Sequence, residues 1–334
     1  MRGGLMGPYL QKNEWQVNAY WSRFSTDETF RGYDVISTAA VWEGGDALNL
    51  QGAYGLTSRL NLTAEVPYVL WSYWSNVVAG KRYYQRVHGL GDAVAGGRFW
   101  LLDPKKNASQ NLAIGLALRL PTGESNYQVP YPDSRGNNIT KRPVYPAVQP
   151  GSGAFGLRLS AQTFRSFRHF SLYGSGLYLF SLKKQIDTIA FGAAVNPAGP
   201  LATPENVRYL TAPDSYQFSG GISTAVPRLK GISLSIGGQV AGVPVYNVLT
   251  GTSGYRQPGY VVTLTPGLAW EAGYATYYIT VPVRMHQYVG QDFLKIQRAA
   301  DFSKTSLQVG VQFNLGGKRK PLSGPAPAEG TGTK

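Results

Sequence analysis

The segment NLAIGLALRL, residues 111–120, alternates large apolar side chains with small or polar ones. Its even positions hold Leu112, Ile114, Leu116, Leu118 and Leu120. The odd positions hold an asparagine, two alanines, one glycine and an arginine. A period of two places the two sets on opposite faces of a β-strand. The segment therefore predicts a strand with one continuous apolar face.

The same alternation recurs along the whole chain, in segments of about ten residues. The predicted strands are 15–24, 46–56, 59–69, 92–102, 111–121, 154–165, 170–181, 215–226, 231–242, 259–270, 275–287 and 305–315. Short links at 57–58, 103–110, 166–169, 227–230 and 271–274 alternate with long ones at 25–45, 70–91, 122–153, 182–214, 243–258 and 288–304. This rhythm is typical of bacterial outer-membrane barrels, which have periplasmic turns and long extracellular loops. We expect an all-β, closed up-and-down antiparallel transmembrane β-barrel of about 12 strands.

The composition is consistent with that fold. Hydrophobic residues make up 43% of the 334 residues, yet the mean hydropathy is -0.19. No apolar run reaches the roughly 20 residues that a membrane-spanning helix needs. Aromatic residues make up 13% of the chain, and several lie near the ends of predicted strands, where barrels carry aromatic girdles. The chain has no cysteine, which excludes disulfides and thiolate metal sites.

The formal net charge is +14 at pH 7. The basic residues are scattered, which argues against nucleic-acid binding and favours a basic solvated surface or lumen. A charged side chain facing lipid near the midplane costs about 2–4 kcal/mol in barrels, so arginines within strands should face inward. We expect eight residues to line a pore: Arg98, Arg119, Arg158, Arg284, Glu65, Gln162, Tyr173 and His286. In a soluble barrel the apolar face would instead point inward, and parity alone does not separate the two arrangements.

Three stretches carry a resemblance to a known family. They are AYGLTSRLNLTAEVPYV (53–69), GLGDAVAGGRFWLL (89–102) and LAIGLALRLPTG (112–123). They resemble an outer-membrane β-barrel family named for the meta-cleavage pathway of phenol degradation, with its hairpin motif, its GxGD strand opening and its strand ending in PTG. The resemblance implies a channel for small, often aromatic, compounds, and it supplies no catalytic residue.

No motif in the sequence predicts an enzyme or a cofactor site. GLGDAVAGG lacks the spacing of a dinucleotide-binding loop, and the chain contains no phosphate-binding loop or nucleophile elbow. His88 with Asp92 is the one pair that could be imagined as a general base and its orienting carboxylate. A histidine in a loop is far more often simply solvated, so we expect no catalysis there.

We expect one barrel domain over residues 15–315, preceded by an N-terminal segment, 1–14, and followed by a disordered periplasmic tail, 316–334. The tail is rich in glycine, proline and small polar residues, with little apolar surface to offset ordering entropy. The start, MRGGLMGPYLQKNEW, has no apolar core of an export signal. Either an export signal has been removed from this sequence, or the outer-membrane interpretation is wrong.

The sequence predicts an outer-membrane channel that passes small solutes by diffusion, with a weak preference for anionic or aromatic compounds. Its expected partners are the lipid bilayer and these solutes, and the sequence leaves the oligomeric state open. The alternative is a structural or docking barrel with a closed lumen, whose long loops bind a partner or a surface polymer. A soluble all-β binding protein is the third candidate.

Overall fold

The structure, a computed structural model, describes residues 10–104, 106–199 and 205–316. Its strands are β1 (Trp15–Arg31), β2 (Asp34–Gly55), β3 (Leu60–Val78), β4 (Lys81–Leu90), β5 (Ala93–Trp100), β6 (Gln110–Leu120), β7 (Gln128–Tyr131), β8 (Thr140–Pro143), β9 (Gly156–Ser166), β10 (Phe170–Ser181), β11 (Gln185–Ile189), β12 (Tyr209–Thr211), β13 (Ser215–Ala225), β14 (Ile232–Val243), β15 (Gly259–Ala272), β16 (Ala275–Thr280), β17 (Val283–Val289), β18 (Ala300–Asp301) and β19 (Thr305–Leu315). Two short helices, α1 (Phe191–Val195) and α2 (Glu205–Arg208), and a 3₁₀ turn at Pro146–Val148 lie in the long loops. None of the helices in this part of the chain is long and apolar enough to cross a membrane.

The barrel wall is a single antiparallel sheet that closes on itself. Each wall strand pairs with the next along the chain, and β19 pairs with β1 from Trp15↔Leu315 to Ser25↔Thr305. Two of the wall strands are interrupted. β4 and β5 both pair with β3 and form one broken strand, and β16 and β17 both pair with β15 and form another. Counted in this way the wall has 12 strands, which confirms the predicted barrel.

Two predicted loops are wrong, because the first four strands are much longer than the apolar alternation indicates. β1 continues to Arg31 and β2 begins at Asp34, so most of the predicted loop 25–45 is strand. β3 and β4 likewise occupy most of 70–91. The two hairpins turn at Gly32, with φ 64°, and at Ala79 and Gly80, with φ 49° and 77°. They form a tall wall that projects beyond the rest of the barrel.

The large apolar side chains point outward along the shared part of the wall. Leu116 is 55% exposed, Ile236 47% and Leu159 45%. Their polar neighbours along the strands point inward, and Asn61 is 3% exposed. This arrangement is the reverse of that in a soluble barrel, in which the apolar face would be buried. Hydrocarbon is the environment that such an exterior requires.

The long loops fold together over one end of the barrel. Their packing centres on a group of buried side chains that we call the mouth cluster, comprising Trp74 and Val87 of the wall and Tyr131, Val144, Val148 and Phe191 of the loops. The rings of Trp74 and Tyr145 stack there at 4.6 Å. The loops thus form a packed layer against the inner side of the tall wall.

The opposite end of the barrel carries the short turns and both ends of the described chain. Leu10 is buried there at 2% exposure, and the backbone amide of Asn13 donates to the Gly55 carbonyl at 2.8 Å. Residues 1–9 and 317–334, including almost all of the predicted tail, lie outside the described residues. The predicted boundaries 1–14 and 316–334 therefore stay predictions.

Candidate functional site

An ion pair lies along the inner wall near the middle of the lumen. Arg158 Nη1 of β9 lies 2.9 Å from Glu65 Oε2 of β3, and both side chains are about a quarter exposed, at 22% and 25%. The two strands are separated by β5 and β6. The inward-facing residues between them are small, because Gly96 is paired with Ala117, and Ala117 with Arg158. Small residues at these two positions leave a path along the wall for the Arg158 side chain.

Arg98 lies beside this pair without a carboxylate of its own. It faces inward between Asn61 of β3 and Gly115 of β6. Gly115 is paired in turn with Ser160, two residues along β9 from Arg158. None of the ion pairs among the described residues includes Arg98. The middle of the lumen therefore combines two guanidiniums with one carboxylate.

Arg119 lies nearer the loop end, where it meets the two motifs of the family resemblance. Its Nε lies 3.8 Å from Asp92 of the GLGD motif. Asp92 accepts hydrogen bonds from the backbone amides of Gly123, at 3.1 Å, and Ser152, at 2.9 Å. The hydroxyl of Thr122 donates to the Gly91 carbonyl at 2.8 Å. The GLGD and PTG motifs therefore hold each other where the wall strand is broken between β4 and β5.

Arg284 also faces inward, close to the loop end. Its guanidinium forms an ion pair with Glu28 and donates to the carbonyl of Phe302. It also lies over the ring of Phe30, 4.5 Å from the centroid. With a paired charge and a covered face, this arginine ties β17 to β1 and to the loop before β19.

Gln162 and Tyr173 face the lumen nearer the short-turn end. Gln162 is paired with Ser175 and Ala113, whose side chains also point inward. The hydroxyl of Tyr173 lies where a Cβ on Gly221 or Gly237 would be, at 2.5 and 2.6 Å. The two glycines thus let the tyrosine ring lie along the wall instead of across the opening.

Two groups of aromatic rings also lie on the inner side of the wall. Trp100 and Phe164 are both buried, their ring centroids lie 6.2 Å apart, and Tyr173 packs against them. On the other side of the barrel Tyr278 and Tyr20 flank Gly310, where a Cβ would meet them at 2.4–2.7 Å. The tyrosine hydroxyls give this part of the lumen polar atoms as well as ring faces.

The structure does not place His286 in the lumen, contrary to the prediction. Counting every second residue from Arg284 assigns it inward, but the ladder between β15 and β17 shifts by one residue at Met285. His286 is therefore paired with Val262 and exposed on the outer face, with its ring 5.3 Å from that of Tyr33. A β-bulge reverses the parity of every residue after it.

Sequence reasoning missed several inward groups. Glu28 and Glu43 lie in the extended parts of β1 and β2, within the predicted loop 25–45. Extending the alternation of these two strands would have placed both side chains inward. Tyr20 was missed although it lies on the same, polar parity of β1 as Asn18, and it is paired with Gly310 and Asn49. Aromatic residues on the polar parity were the signal.

His88 and Asp92 do not form the pair considered from the sequence. His88 Nδ1 lies 3.5 Å from the hydroxyl of Tyr127, and the Asp92 carboxylate is bonded to loop amides. Within residues 10–104, 106–199 and 205–316, no group of three or more histidine, aspartate or glutamate side chains could hold a metal ion.

The fold is similar to that of solved outer-membrane proteins. The COG4313 outer membrane channel from Pseudomonas putida F1 matches at a TM-score of 0.61 and 14% identity, over 93% of this chain and 99% of that one. The chain therefore has the closed 12-stranded β-barrel fold of these outer-membrane proteins. The NanC porin (TM-score 0.41, 7% identity) and the KdgM porin (0.39, 12%) match more distantly, each over 89% of this chain and 100% and 98% of theirs. No protein-family model and no curated protein matches the sequence.

Proposed function

We propose that this barrel is a passive outer-membrane channel for small solutes and that its lumen favours anions, aromatic carboxylates among them. The observation that carries the proposal is Arg98, an inward-facing guanidinium beside the Arg158–Glu65 pair that takes part in none of the ion pairs of the described chain. An uncompensated charge in a narrow, low-dielectric passage raises the local concentration of counter-ions. The similarity to the COG4313 outer membrane channel supports the channel role.

The aromatic rings nearer the short turns support the second half of the proposal. Tyr173, which is partly exposed and packs against the buried rings of Trp100 and Phe164, offers its ring to a flat solute below the charged level. A guanidinium forms strong charge-assisted hydrogen bonds with carboxylates. A benzoate-like solute would contact first the guanidinium and then the aromatic ring on its way through the barrel. Neither the proposed passage nor the pore-lining residues require a catalytic group or a cofactor.

Opposite changes at neighbouring positions test the proposal most sharply. In planar bilayers with a KCl gradient, Arg98→Gln should move the reversal potential toward cation selectivity, because the unpaired cation is lost. Glu65→Gln should move it toward anions, because Arg158 is then freed. We expect each change to alter the permeability ratio of Cl⁻ to K⁺ by roughly twofold or more.

The matched control is Arg165→Gln. Arg165 is an exposed, outward-facing arginine whose guanidinium lies 5.3 Å from the ring centroid of Phe167 at the short-turn end. The substitution removes the same charge from the outer surface, so the reversal potential should stay at the wild-type value. Equal shifts in all three variants would contradict a role for the lumen charges.

A closed docking barrel is the second candidate, and the mouth cluster favours it. Loop residues such as Tyr131 and Phe191 pack tightly beside Trp74 of the wall at the loop end. The same bilayer recording separates the two functions. Steady current through the purified wild-type barrel would support the channel, whereas a folded barrel without current would support the docking role.

A further inference from the structure

The outer face of the tall wall carries a group of arginines and aromatic rings that the channel does not use. We call it the outer basic patch, and it comprises Arg23, Arg82, Arg86, Trp42, Trp71, Tyr73 and Tyr84. We propose that this patch binds the phosphates of lipid A, the bisphosphorylated glycolipid of the outer leaflet. The proposal is independent of what passes through the lumen.

All of these residues point away from the lumen. Arg23 is two residues beyond the outward Trp21 and is paired with Asp46, which in turn is paired with Trp71. On β4, Arg86 is paired with Tyr73 and Arg82 with Val77. Residues directly paired across an antiparallel sheet point to the same face. The patch therefore spans four adjacent strands, β1 to β4, on one outer surface.

The patch begins near the upper edge of the apolar band and continues above it. Trp15, 51% exposed, marks the short-turn edge of the apolar band on β1, and Arg23 is eight residues further along the strand. At about 3.4 Å per residue and a tilt of roughly 40°, Arg23 lies about 20 Å above Trp15. The apolar band of such barrels is about 25 Å tall. Because Arg82 and Arg86 lie still further from the short turns, they reach the outer-leaflet phosphates.

Two guanidiniums of the patch lie against aromatic rings, and Nη1 of Arg82 also donates to the Ser75 hydroxyl at 3.0 Å. The Arg82 guanidinium lies 3.9 Å from the ring centroid of Trp42, and that of Arg23 lies 5.7 Å from the ring centroid of Trp71. Contact with a ring uses the face of the guanidinium, whereas hydrogen bonds to phosphate use its edge. Ring contact also reduces the side-chain entropy that binding would otherwise cost. The arrangement is suited to phosphate oxygens.

The balance of charge on the patch is positive. Asp46 is the carboxylate near Arg23, at 4.0 Å, and its side chain is only 7% exposed. No ion pair of the described residues includes Arg86, which is exposed. Cations that face an outer leaflet rich in phosphate are complementary to it in charge, and each contributes about 1 kcal/mol near an anionic surface. Unshielded arginines on an apolar exterior would otherwise be unfavourable.

The test measures retention of lipid A by the purified, folded barrel in detergent, by native mass spectrometry. We expect the wild type to retain lipid A, and the triple variant Arg23→Gln, Arg82→Gln, Arg86→Gln to bind it at least about tenfold more weakly. Arg165→Gln, which removes a ring-associated arginine from the opposite edge of the barrel, should bind as the wild type does. Wild-type retention by the triple variant would overturn the proposal.

A second measurement needs no variant. The wild type is offered lipid A, dephosphorylated lipid A and phosphatidylglycerol in turn. Preference for the bisphosphorylated form supports the proposal. Equal retention of the dephosphorylated form would show that the acyl chains are responsible, and equal retention of phosphatidylglycerol would show a general anionic-lipid surface; either result overturns the assignment to lipid A. The conductance of the triple variant should remain that of the wild type, whatever the fate of the channel proposal.

Discussion

The Arg158–Glu65 ion pair in the lumen depends on the small residues between its two strands, Gly96 and Ala117. A Cβ on Gly96 would lie 2.4 Å from the Cα of Ala117 and 2.2 Å from the Leu116 carbonyl oxygen. Those atoms belong to the backbone of the neighbouring strand, so they can yield only if the wall itself moves. Glycine at this position therefore serves both the close approach of β5 to β6 and the path of Arg158 to Glu65.

Gly96→Ala should lower barrel stability by about 1–3 kcal/mol, the usual cost of overpacking. The expected readout is a shift of the urea midpoint of unfolding, together with a weaker Arg158–Glu65 contact. Gly52→Ala is the control, because Gly52 lies in β2, two strands from Gly96, and a Cβ there meets nothing within 4 Å. The control should unfold within about 0.5 kcal/mol of the wild type. A Gly96→Ala barrel that is as stable as the control would contradict the packing argument.

At the scale of elements, the alternation of the sequence predicted where strands cross the membrane but not how far they extend beyond it. The segment 305–315 matches β19 at both ends, and 170–181 matches β10. In contrast, β2 begins at Asp34 instead of 46. Beyond the lipid-facing apolar band, both faces of a strand can be polar or covered by loops. The alternation of apolar and polar residues therefore weakens there. The bulge at Met285, which moved His286 outward, has no signature in the alternation.

The loop from 122 to 153 is held at the break between β4 and β5. The sequence indicated this site only through the GLGD motif of the family resemblance. Asp92 accepts hydrogen bonds from Gly123 and from both the amide and the hydroxyl of Ser152. These contacts fix the two ends of the loop to the break between β4 and β5. The motif thus acts as an anchor for the loop as well as a partner for Arg119.

Asp92→Ala should release this loop while leaving the wall intact. Hydrogen bonds to a charged group contribute about 1.5–3 kcal/mol each, so trypsin should cut at Arg135, Lys141 or Arg142 at least about tenfold faster. Asp187→Ala is the control, since its carboxylate is fully exposed and pairs only with Lys183 among the ion pairs of the described chain. The control should be cut at the wild-type rate, and unchanged cleavage of Asp92→Ala would refute the anchor.

On the scale of the whole molecule, the loops, the tall wall and the lumen meet at Asp301. Its carboxylate accepts a hydrogen bond from Thr29 at 2.6 Å and from the indole of Trp74 at 3.3 Å, which joins the last long loop to β1 and β3. The carboxyl of Glu43 interacts with it from β2. The phenols of Tyr145 and Tyr255 are the other titratable groups affected by its charge. No base among these groups offsets the negative charge directly.

The buried carboxyl of Asp301 makes the packing of the last long loop dependent on pH. Burial raises the pKa of Asp301, although hydrogen bonds from Thr29, Trp74 and Glu43 act in the opposite direction. Because the folded-state pKa is raised, the stabilisation is complete below the ordinary aspartate value of about 3.9 and is lost as the pH rises through the raised value. Hydrogen exchange of residues 290–304, corrected for the intrinsic rate, should therefore show protection that falls as the pH rises above about 4. Asp301→Asn should reduce that pH dependence, and Asp301→Asn combined with Glu43→Gln should remove it, because burial also raises the pKa of Glu43; Asp187→Asn should retain the wild-type profile. The same fall in Asp301→Asn would show that another group controls how the loop is held over the lumen.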